Sequence, residues 1–482
     1  GKSTFLNVLA GHIKTFSGAV KISQSVLLVK QQYNSGRVLD IVLAPHSQLI
    51  KDTYEVILQG SDNSNRYLRA LEIWDDLDGY SLQVEWDELT LRTCGVPFEQ
   101  IALEGVGRLS VGERKLLALQ SALRSRKSIL LFDEPESALD IVERDLLEQE
   151  IKQSDKTIIF CSHDRRLLAN YVGRFLVFEP RRNGTVCWEF MGSFSDLPVE
   201  QQIRLERINV QQEQQKNERL KLELHSKDMS RRASYNDKMS TRSRSAKTRL
   251  ERFNNDQTKI YKRELRPSVF NFNASNRRYV FSVSVSSEHR MGKELSVTLS
   301  PGTQVGLVGR NGSGKSTLLA SVARHLGMEI NMDDWLHTDV NVRVEEITST
   351  GLPPKVGIFS QDNLGTGFAG RTVLDIACES VQSVNCLRAD DLPWMLNKIG
   401  IAHLQQKRYE ELSGGERARV QLMILTLSEF DLLLLDEPTE NLDIDAAIAF
   451  QSGINDYSGC VIVASHDREL LESVDYIVRL GH

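Results

Sequence analysis

Gly309-Arg310-Asn311-Gly312-Ser313-Gly314-Lys315-Ser316-Thr317 is the stretch that decides the reading of this chain. Residues 309–316 satisfy the pattern GxxxxGK[ST], a phosphate-binding loop. Its glycines let backbone N–H groups turn inward around phosphates, its Lys reaches the terminal phosphates, and its Ser or Thr hydroxyl serves Mg²⁺. The apolar run Gln304-Val305-Gly306-Leu307-Val308 before it predicts a buried strand, and Thr317-Leu318-Leu319-Ala320 after it predicts the start of a helix. A glycine-rich turn of no function would not place Lys315 and Ser316 in register within that strand–loop–helix context. The nucleotide-binding residues expected here are Gly309, Asn311, Gly312, Ser313, Gly314, Lys315, Ser316 and Thr317.

The chain opens on Gly1-Lys2-Ser3-Thr4, the end of the same motif. Four letters carry no weight alone, but they head an internal repeat. Leu109-Ser110-Val111-Gly112-Glu113 matches Leu412-Ser413-Gly414-Gly415-Glu416, and Ile129-Leu130-Leu131-Phe132-Asp133-Glu134-Pro135 matches Leu432-Leu433-Leu434-Leu435-Asp436-Glu437-Pro438. Ser162-His163-Asp164 matches Ser465-His466-Asp467. Ser110 to Asp133 and Ser413 to Asp436 are both 23 positions; Asp133 to His163 and Asp436 to His466 are both 30. Equal spacings across three blocks make the chain a tandem duplication, with Lys2 the first copy's phosphate-loop lysine. A lone His is more often a satisfied core residue than a functional one; the matched spacing outweighs that here. Because residue 1 is Gly and the first copy lacks its opening strands and half its loop, the sequence reads as an N-terminally truncated fragment.

These blocks resemble the ATP-binding cassette (ABC) ATPases, whose order is P-loop, Gln loop, LSGGQ-like signature, Walker B strand ending Asp-Glu, D-loop and switch His. The Gln loops would be Gln31 and Gln361, and the D-loops Ala138-Leu139-Asp140 and Asn441-Leu442-Asp443. No aromatic ring except His289 falls near Glu288-His289-Arg290, where the purine-stacking residue of the second cassette is expected, so none is assigned.

At 482 residues with 40% hydrophobic content the chain has room for two or more globular domains. No run of eighteen apolar residues occurs, so no membrane-spanning segment is expected. Six Cys without a CxxC pair argue against zinc and iron–sulfur sites and for the reducing cytoplasm. The net charge of −6 hides a local asymmetry. Residues 200–266 carry 18 Lys plus Arg against 10 Asp plus Glu, a net of +8, and no Gly or Pro lies between Pro198 and Pro267. The sparse apolar positions predict a long polar helix, a second helix over about Ala246 to Leu265, and a turn in the Ser- and Arg-rich stretch Ser226 to Ser245. A charge run is usually a solvated face; a basic helix pair polar nearly all round also suits a phosphate backbone.

Tandem cassettes joined by such a hairpin resemble the ABC-F family. Gly192-Ser193-Phe194-Ser195-Asp196 is similar to that family's lead into its linker, and Arg244-Ser245-Ala246-Lys247-Thr248-Arg249-Leu250-Glu251-Arg252 to its descending helix. Gln31 to Ser110 is 79 positions against 52 from Gln361 to Ser413, and the extra 27 residues fall where the family carries its first-cassette arm, which Asp78-Gly79-Tyr80 would end. The resemblance implies an α/β fold: two P-loop ABC ATPase domains joined by a basic α-helical hairpin linker. The domains would be 1–197, with an arm-like insertion at about 42–90, then the linker 198–267 and the second cassette 268–482. It implies ATP and Mg²⁺ as cofactors, intramolecular pairing of the cassettes head to tail, and the ribosome (ribosomal RNA and tRNA) as partner, contacted near the exit-tRNA site with the linker directed at the peptidyl-transferase region.

The resemblance also implies roles. Gly1, Lys2, Ser3 and Thr4 would bind ATP with the second-loop residues; Ser110, Gly112, Ser413, Gly414 and Gly415 would meet it from the opposing signature. Ser3, Asp133, Ser316 and Asp436 would serve the metal. Glu134 and Glu437 would orient or deprotonate water, Gln31 and Gln361 would sense metal and water, and His163 and His466 would contact the γ-phosphate. Val111, standing where the other signature has Gly414, is expected to weaken the second site through bulk and restricted dihedrals. Competing readings are an ABC transporter's ATPase subunit, which leaves the basic linker unexplained, and a DNA-associated ABC ATPase, whose long coiled coils do not fit 69 positions from Pro198 to Pro267.

Overall fold

The computed structural model describes residues 1–14, 17–31, 33–60, 65–181, 184–233, 240–256, 269–274, 279–287, 291–327, 341–349, 354–360, 368, 370–382, 392–440 and 442–480. Residues 169–265 form one compact unit, and residues 2–168 with 266–482 form another.

The second cassette is built on a five-stranded parallel sheet, in the order Val356–Phe359, Leu432–Asp436, Cys460–Ala464, Gln304–Gly309, Tyr476–Leu480. Parallel strands covered on both faces read as unbroken apolar runs. Leu432 to Leu435 does so, with all four side chains fully buried. Successive side chains alternate between faces. Leu432 and Leu434 pack with Leu318, Leu319 and Val322 of the helix Lys315–His325. Leu433 and Leu435 join the core formed with Val420 and Met423 of the helix Gly414–Leu427 and with Phe450. A separate antiparallel sheet is formed by Asn341–Ser349, Tyr279–Ser287 and Met291–Leu299.

The first cassette carries the corresponding strands Val26–Val29, Ile129–Asp133 and Thr157–Cys161, again parallel and in that order. The helix Lys2–Leu9 begins at the first loop's lysine. Between the Gln loop and the signature lie the helices Gln48–Gln59, Asn65–Asp76 and Gly79–Cys94. They share an aromatic core: Tyr54 stacks on Trp74 with ring centroids 5.1 Å apart and meets Trp86 edge-on at 5.1 Å, and Trp86 meets Phe98 at 5.5 Å. Asp78 turns the chain in a left-handed conformation, φ 54°, between the last two helices.

In the unit of residues 169–265, the antiparallel hairpin Arg174–Arg181 with Gly184–Met191 precedes a 37-residue helix, Leu197–Ala233, and a second helix, Ser240–Asp256. The Ser- and Arg-rich stretch expected to turn is therefore helical over 226–233 and 240–245; residues 234–239 and 257–265 lie outside the described residues. The reason is packing. Ser226, Ser243 and Ala246 are buried, and Ser230 Oγ lies 3.2 Å from Ser243 Oγ. Small side chains let the two helices approach closely there. With no apolar stripe, the long helix draws instead on one-turn ion pairs, Arg219–Glu223 at 2.9 Å and Asp228–Arg232 at 3.0 Å.

A Cβ built on Gly79 would come within 2.1 Å of the Trp74 indole, whereas one on Gly105 meets nothing within 4 Å. Gly79→Ala is thus expected to destabilise the first cassette by about 1–3 kcal/mol through overpacking, while Gly105→Ala stays within about 0.5 kcal/mol. Urea unfolding followed by tryptophan fluorescence checks both.

Candidate functional site

Three of the second cassette's motifs stand at or just beyond the C-terminal ends of neighbouring parallel strands, the end where open α/β sheets bind ligands. The loop 309–314 follows Gln304–Gly309, Asp436 and Glu437 end Leu432–Asp436, and His466 follows Cys460–Ala464. Gln361 follows Val356–Phe359 in the chain but lies outside the described residues, as do Asn441 and the segment Glu288-His289-Arg290.

The loop needs its glycines for two reasons. A Cβ on Gly309 would sit 2.4 Å from the Leu480 carbonyl oxygen. Gly312 and Gly314 take φ of 77° and 91°, the left-handed region where a Cβ is costly. Lys315 folds back across the loop, its Nζ donating to the carbonyls of Gly309 at 2.8 Å and Arg310 at 3.3 Å. Burial lowers the Lys315 ammonium pKa. Glu437 lies beside it: its Oε2 accepts the His466 backbone N–H at 3.1 Å, and its Oε1 is 3.5 Å from His466 Nε2. Burial, then the nearby Glu440 carboxylate, raises the Glu437 carboxyl. Glu437 and its counterpart Glu134 both adopt φ near the left-handed value, 46° and 48°. Such strain in a non-glycine residue marks functional positions.

The first cassette brings Lys2, Gln31, Glu134 and His163 together. Lys2 Nζ lies 2.8 Å from His163 Nε2, Gln31 Nε2 donates to Glu134 Oε2 at 2.5 Å, and Glu134 Oε1 is 3.9 Å from His163 Nε2. Burial, then Glu136 and Asp133, raises the Glu134 carboxyl. Gly1, Ser3 and Thr4 adjoin Lys2 at the helix start and are exposed; Asp133 closes its strand, half-buried, and Asp436 is buried in the same place.

Both signatures open a helix with the same device. Ser110 accepts the Glu113 N–H and Ser413 the Glu416 N–H, each Glu returning to the serine's own N–H, a capping box. The dihedral reason for expecting Val111 to matter does not hold: Gly414 and Gly415 have no positive φ, and Val111 is an ordinary first-turn residue with a half-exposed side chain. The close approach is at Gly112 instead. A Cβ there would come 2.8 Å from the Ala138 oxygen and 3.2 Å from Asn311 Nδ2. Asn311 Nδ2 also donates to the Ala138 carbonyl at 2.8 Å. The second loop therefore faces the first signature and D-loop.

Functional neighbours that the motif search missed emerge at these contacts. Lys115 is buried, and its Nζ donates to the carbonyls of Lys30, Gln31 and Asp133 at 3.1, 3.1 and 3.0 Å, tying Gln loop to Walker B strand. Burial pushes its ammonium down to about 8. Arg165 and Arg468, each two residues past a switch histidine, reach across reciprocally. Arg165 donates to Gln451 at 2.9 Å and pairs with Glu469 at 2.6 Å; Arg468 donates to Glu148 at 3.0 Å and Asp145 at 2.6 Å. Arg144 meets the His466 carbonyl at 3.3 Å. Comparing the two copies position by position, rather than seeking their shared motifs, would have exposed these residues.

Fold and site together define a tandem ATP-binding cassette ATPase. The profile of the family described as "ABC transporter" matches residues 1–137 and 292–440. An "Antibiotic resistance protein" of Mycobacteroides abscessus is 30% identical over 97% of this chain and 88% of its own length. The "Energy-dependent translational throttle protein EttA" of Haemophilus influenzae is 28% identical over 98% and 84%, and "ABC transporter F family member 5" of Arabidopsis thaliana 26% over 98% and 68%. The chain belongs to the ABC ATPases, in their ABC-F branch. Among the described residues no helix is long and apolar enough to cross a membrane.

Burial pushes the His163 imidazole down to about 4 and His466 to about 3. Both are neutral at pH 7, free to accept or donate one hydrogen bond. An unfolded histidine binds its proton near 6.5, so between there and the folded values the unfolded chain holds more protons. Stability then falls as pH drops below about 6.5. Urea unfolding of wild type should lose more stability from about pH 7 to about pH 5 than that of His163→Ala or His466→Ala.

Proposed function

We propose that this protein is an ABC-F translation factor that hydrolyses ATP on the ribosome. It would bind near the exit-tRNA site and act on the peptidyl-transferase region through its linker, to regulate translation or protect an antibiotic's target. The observation that carries the reading is the helix pair Leu197–Ala233 and Ser240–Asp256, whose Lys227, Arg231, Arg232, Arg242, Arg244, Lys247 and Arg249 are all exposed. A transporter's ATPase subunit has no use for such a surface; a phosphate backbone does. A relative named for translational throttling and another named for antibiotic resistance support the same reading. The functional divisions are residues 1–197 for the first cassette, 198–267 for the linker and 268–482 for the second.

Within each site this chain's residues would act as follows. Lys2 and Lys315 bind the β- and γ-phosphates, with the loop N–H groups of 309–314 around them. Ser110 and Gly112 close over the nucleotide at Lys315, and Ser413, Gly414 and Gly415 over that at Lys2. Glu134 and Glu437 orient the attacking water or take its proton; their raised pKa brings them nearer the working pH, where a general base is most effective. Gln31, hydrogen-bonded to Glu134, positions that carboxylate, and Gln361 is assigned the same part opposite. His163 and His466 contact the γ-phosphate. Among the described residues no three His, Cys, Asp or Glu side chains form a metal cage. The Ser3 and Ser316 hydroxyls at helix starts would hold a Mg²⁺ delivered with the nucleotide, with the Asp133 and Asp436 carboxylates at strand ends in its outer shell. When bound it neutralises charge on the phosphates.

Replacing Glu134 and Glu437 together by Gln should abolish turnover while leaving ATP bound, and should enrich the protein with ribosomes in polysome sedimentation. Turnover at the wild-type rate would overturn the assignment. Reversing Arg231, Arg232, Arg242 and Arg244 to Glu should weaken ribosome binding and flatten its salt dependence by about 0.7–0.9 in log–log slope per lost phosphate contact, with basal hydrolysis retained. An unchanged slope would count against the linker as the contact.

A further inference from the structure

The two switch histidines are held in different ways. In the second cassette the catalytic Glu437 itself accepts the His466 backbone N–H. In the first, that N–H goes to Glu136, two residues past the catalytic Glu134. Glu136 Oε1 accepts from Ser162 Oγ at 2.7 Å, from the His163 N–H at 2.8 Å and from the Asp164 N–H at 3.3 Å. Glu136 is buried, and its Oε2 has no hydrogen-bond partner among the described residues. A carboxylate held inside with one oxygen unmatched is costly; the three donors on the other oxygen offset that cost. At the equivalent position of the second cassette stands Thr439.

A second difference accompanies it. Lys115, buried near Glu134, occupies the position of Ala418. The first site therefore carries one buried anion and one buried cation that the second lacks, and each is spent on main-chain groups. Lys115 ties down the carbonyls of the Gln loop, and Glu136 the N–H groups of the switch loop. Glu134, which does not cap the switch loop, accepts from Gln31 Nε2 at its Oε2.

We infer that Glu136 is the positioning residue of the first ATP site, fixing the switch loop around His163 so that Glu134 is left to Gln31 and the attacking water. The inference rests on the roles proposed above for Glu134 and His163. It concerns geometry at one site, so its effect is on the rate of the chemical step there, with little effect on nucleotide affinity.

The test is single-turnover ATP hydrolysis by the protein as its gene encodes it, with nucleotide affinity measured alongside. In a Glu437→Gln background only the first site turns over; in Glu134→Gln only the second. Glu136→Ala is expected to slow the first site about tenfold with affinity within about twofold, and to affect the second site much less. Glu136→Gln keeps an acceptor oxygen in place and should recover most of the lost rate. Where Glu136→Ala does not fold, Glu136→Thr, which installs the second cassette's residue, is read the same way. First-site turnover unchanged by the Ala or Thr variant, equal losses in Ala and Gln, or equal losses at both sites would each overturn the inference. Failure of Glu134→Gln itself to silence the first site would instead overturn the underlying site assignment.

Discussion

The chemistry of this chain depends on one constraint: a parallel strand buried on both faces can present functional groups only at its end. Leu432 to Leu435 spend every side chain on the core, alternating between two helical layers. The next residues, Asp436 and Glu437, are the first polar ones after that apolar run. Glu437 leaves the strand in a left-handed backbone conformation that breaks the ladder at once. The loop after Gln304–Gly309 and the turn after Cys460–Ala464 end on the same edge because those strands are neighbours in the same direction. Lys315, Glu437 and His466 meet because the sheet's register brings them together, and the same logic gathers Lys2, Glu134 and His163 in the smaller sheet.

Most of that was legible in the sequence because it is written in fixed spacings. The strand before the second loop, the helix after it and both Asp-Glu pairs follow from local rules of burial, glycine dihedrals and matched spacing. The less legible parts depend on partners distant in the chain. The Ser- and Arg-rich stretch around Ser230 reads as a turn until the second helix supplies Ser243 and Ala246 for it to pack on. Val111 looks disruptive only if its glycine counterpart uses glycine's special freedom, and Gly414 does not. Lys115 and Glu136 fall in no motif of the sequence; only the folded chain puts them among main-chain carbonyls and N–H groups.

Duplication followed by divergence is visible as electrostatics. The shared motifs are nearly identical, but the residues that brace them are not. Lys115 and Glu136 face Ala418 and Thr439 across the repeat, and Arg144 faces Ala447. Arg144 braces the His466 carbonyl, and no arginine occupies the equivalent position of the second cassette to do the same for His163. The reciprocal arginines differ in partners as well: Arg468 meets the carboxylates of Asp145 and Glu148, whereas Arg165 meets the amide of Gln451, at the position equivalent to Glu148, and pairs with Glu469 and Asp467. Such differences leave the reaction unchanged and alter how each loop is held while it occurs.

The helix Leu197–Ala233 has a mechanical consequence. Its 37 residues make a rod of about 55 Å at 1.5 Å per residue. The second helix braces it sideways where Ser226 and Ser230 meet Ser243 and Ala246, so the far half behaves as a doubled beam and resists bending. A rod of that length amplifies: a tilt of about 5° at its root sweeps the far end through roughly 5 Å, about the spacing between stacked strands or one turn of helix. Its stiffness comes from the close approach of small side chains and from one-turn ion pairs, not from an apolar stripe.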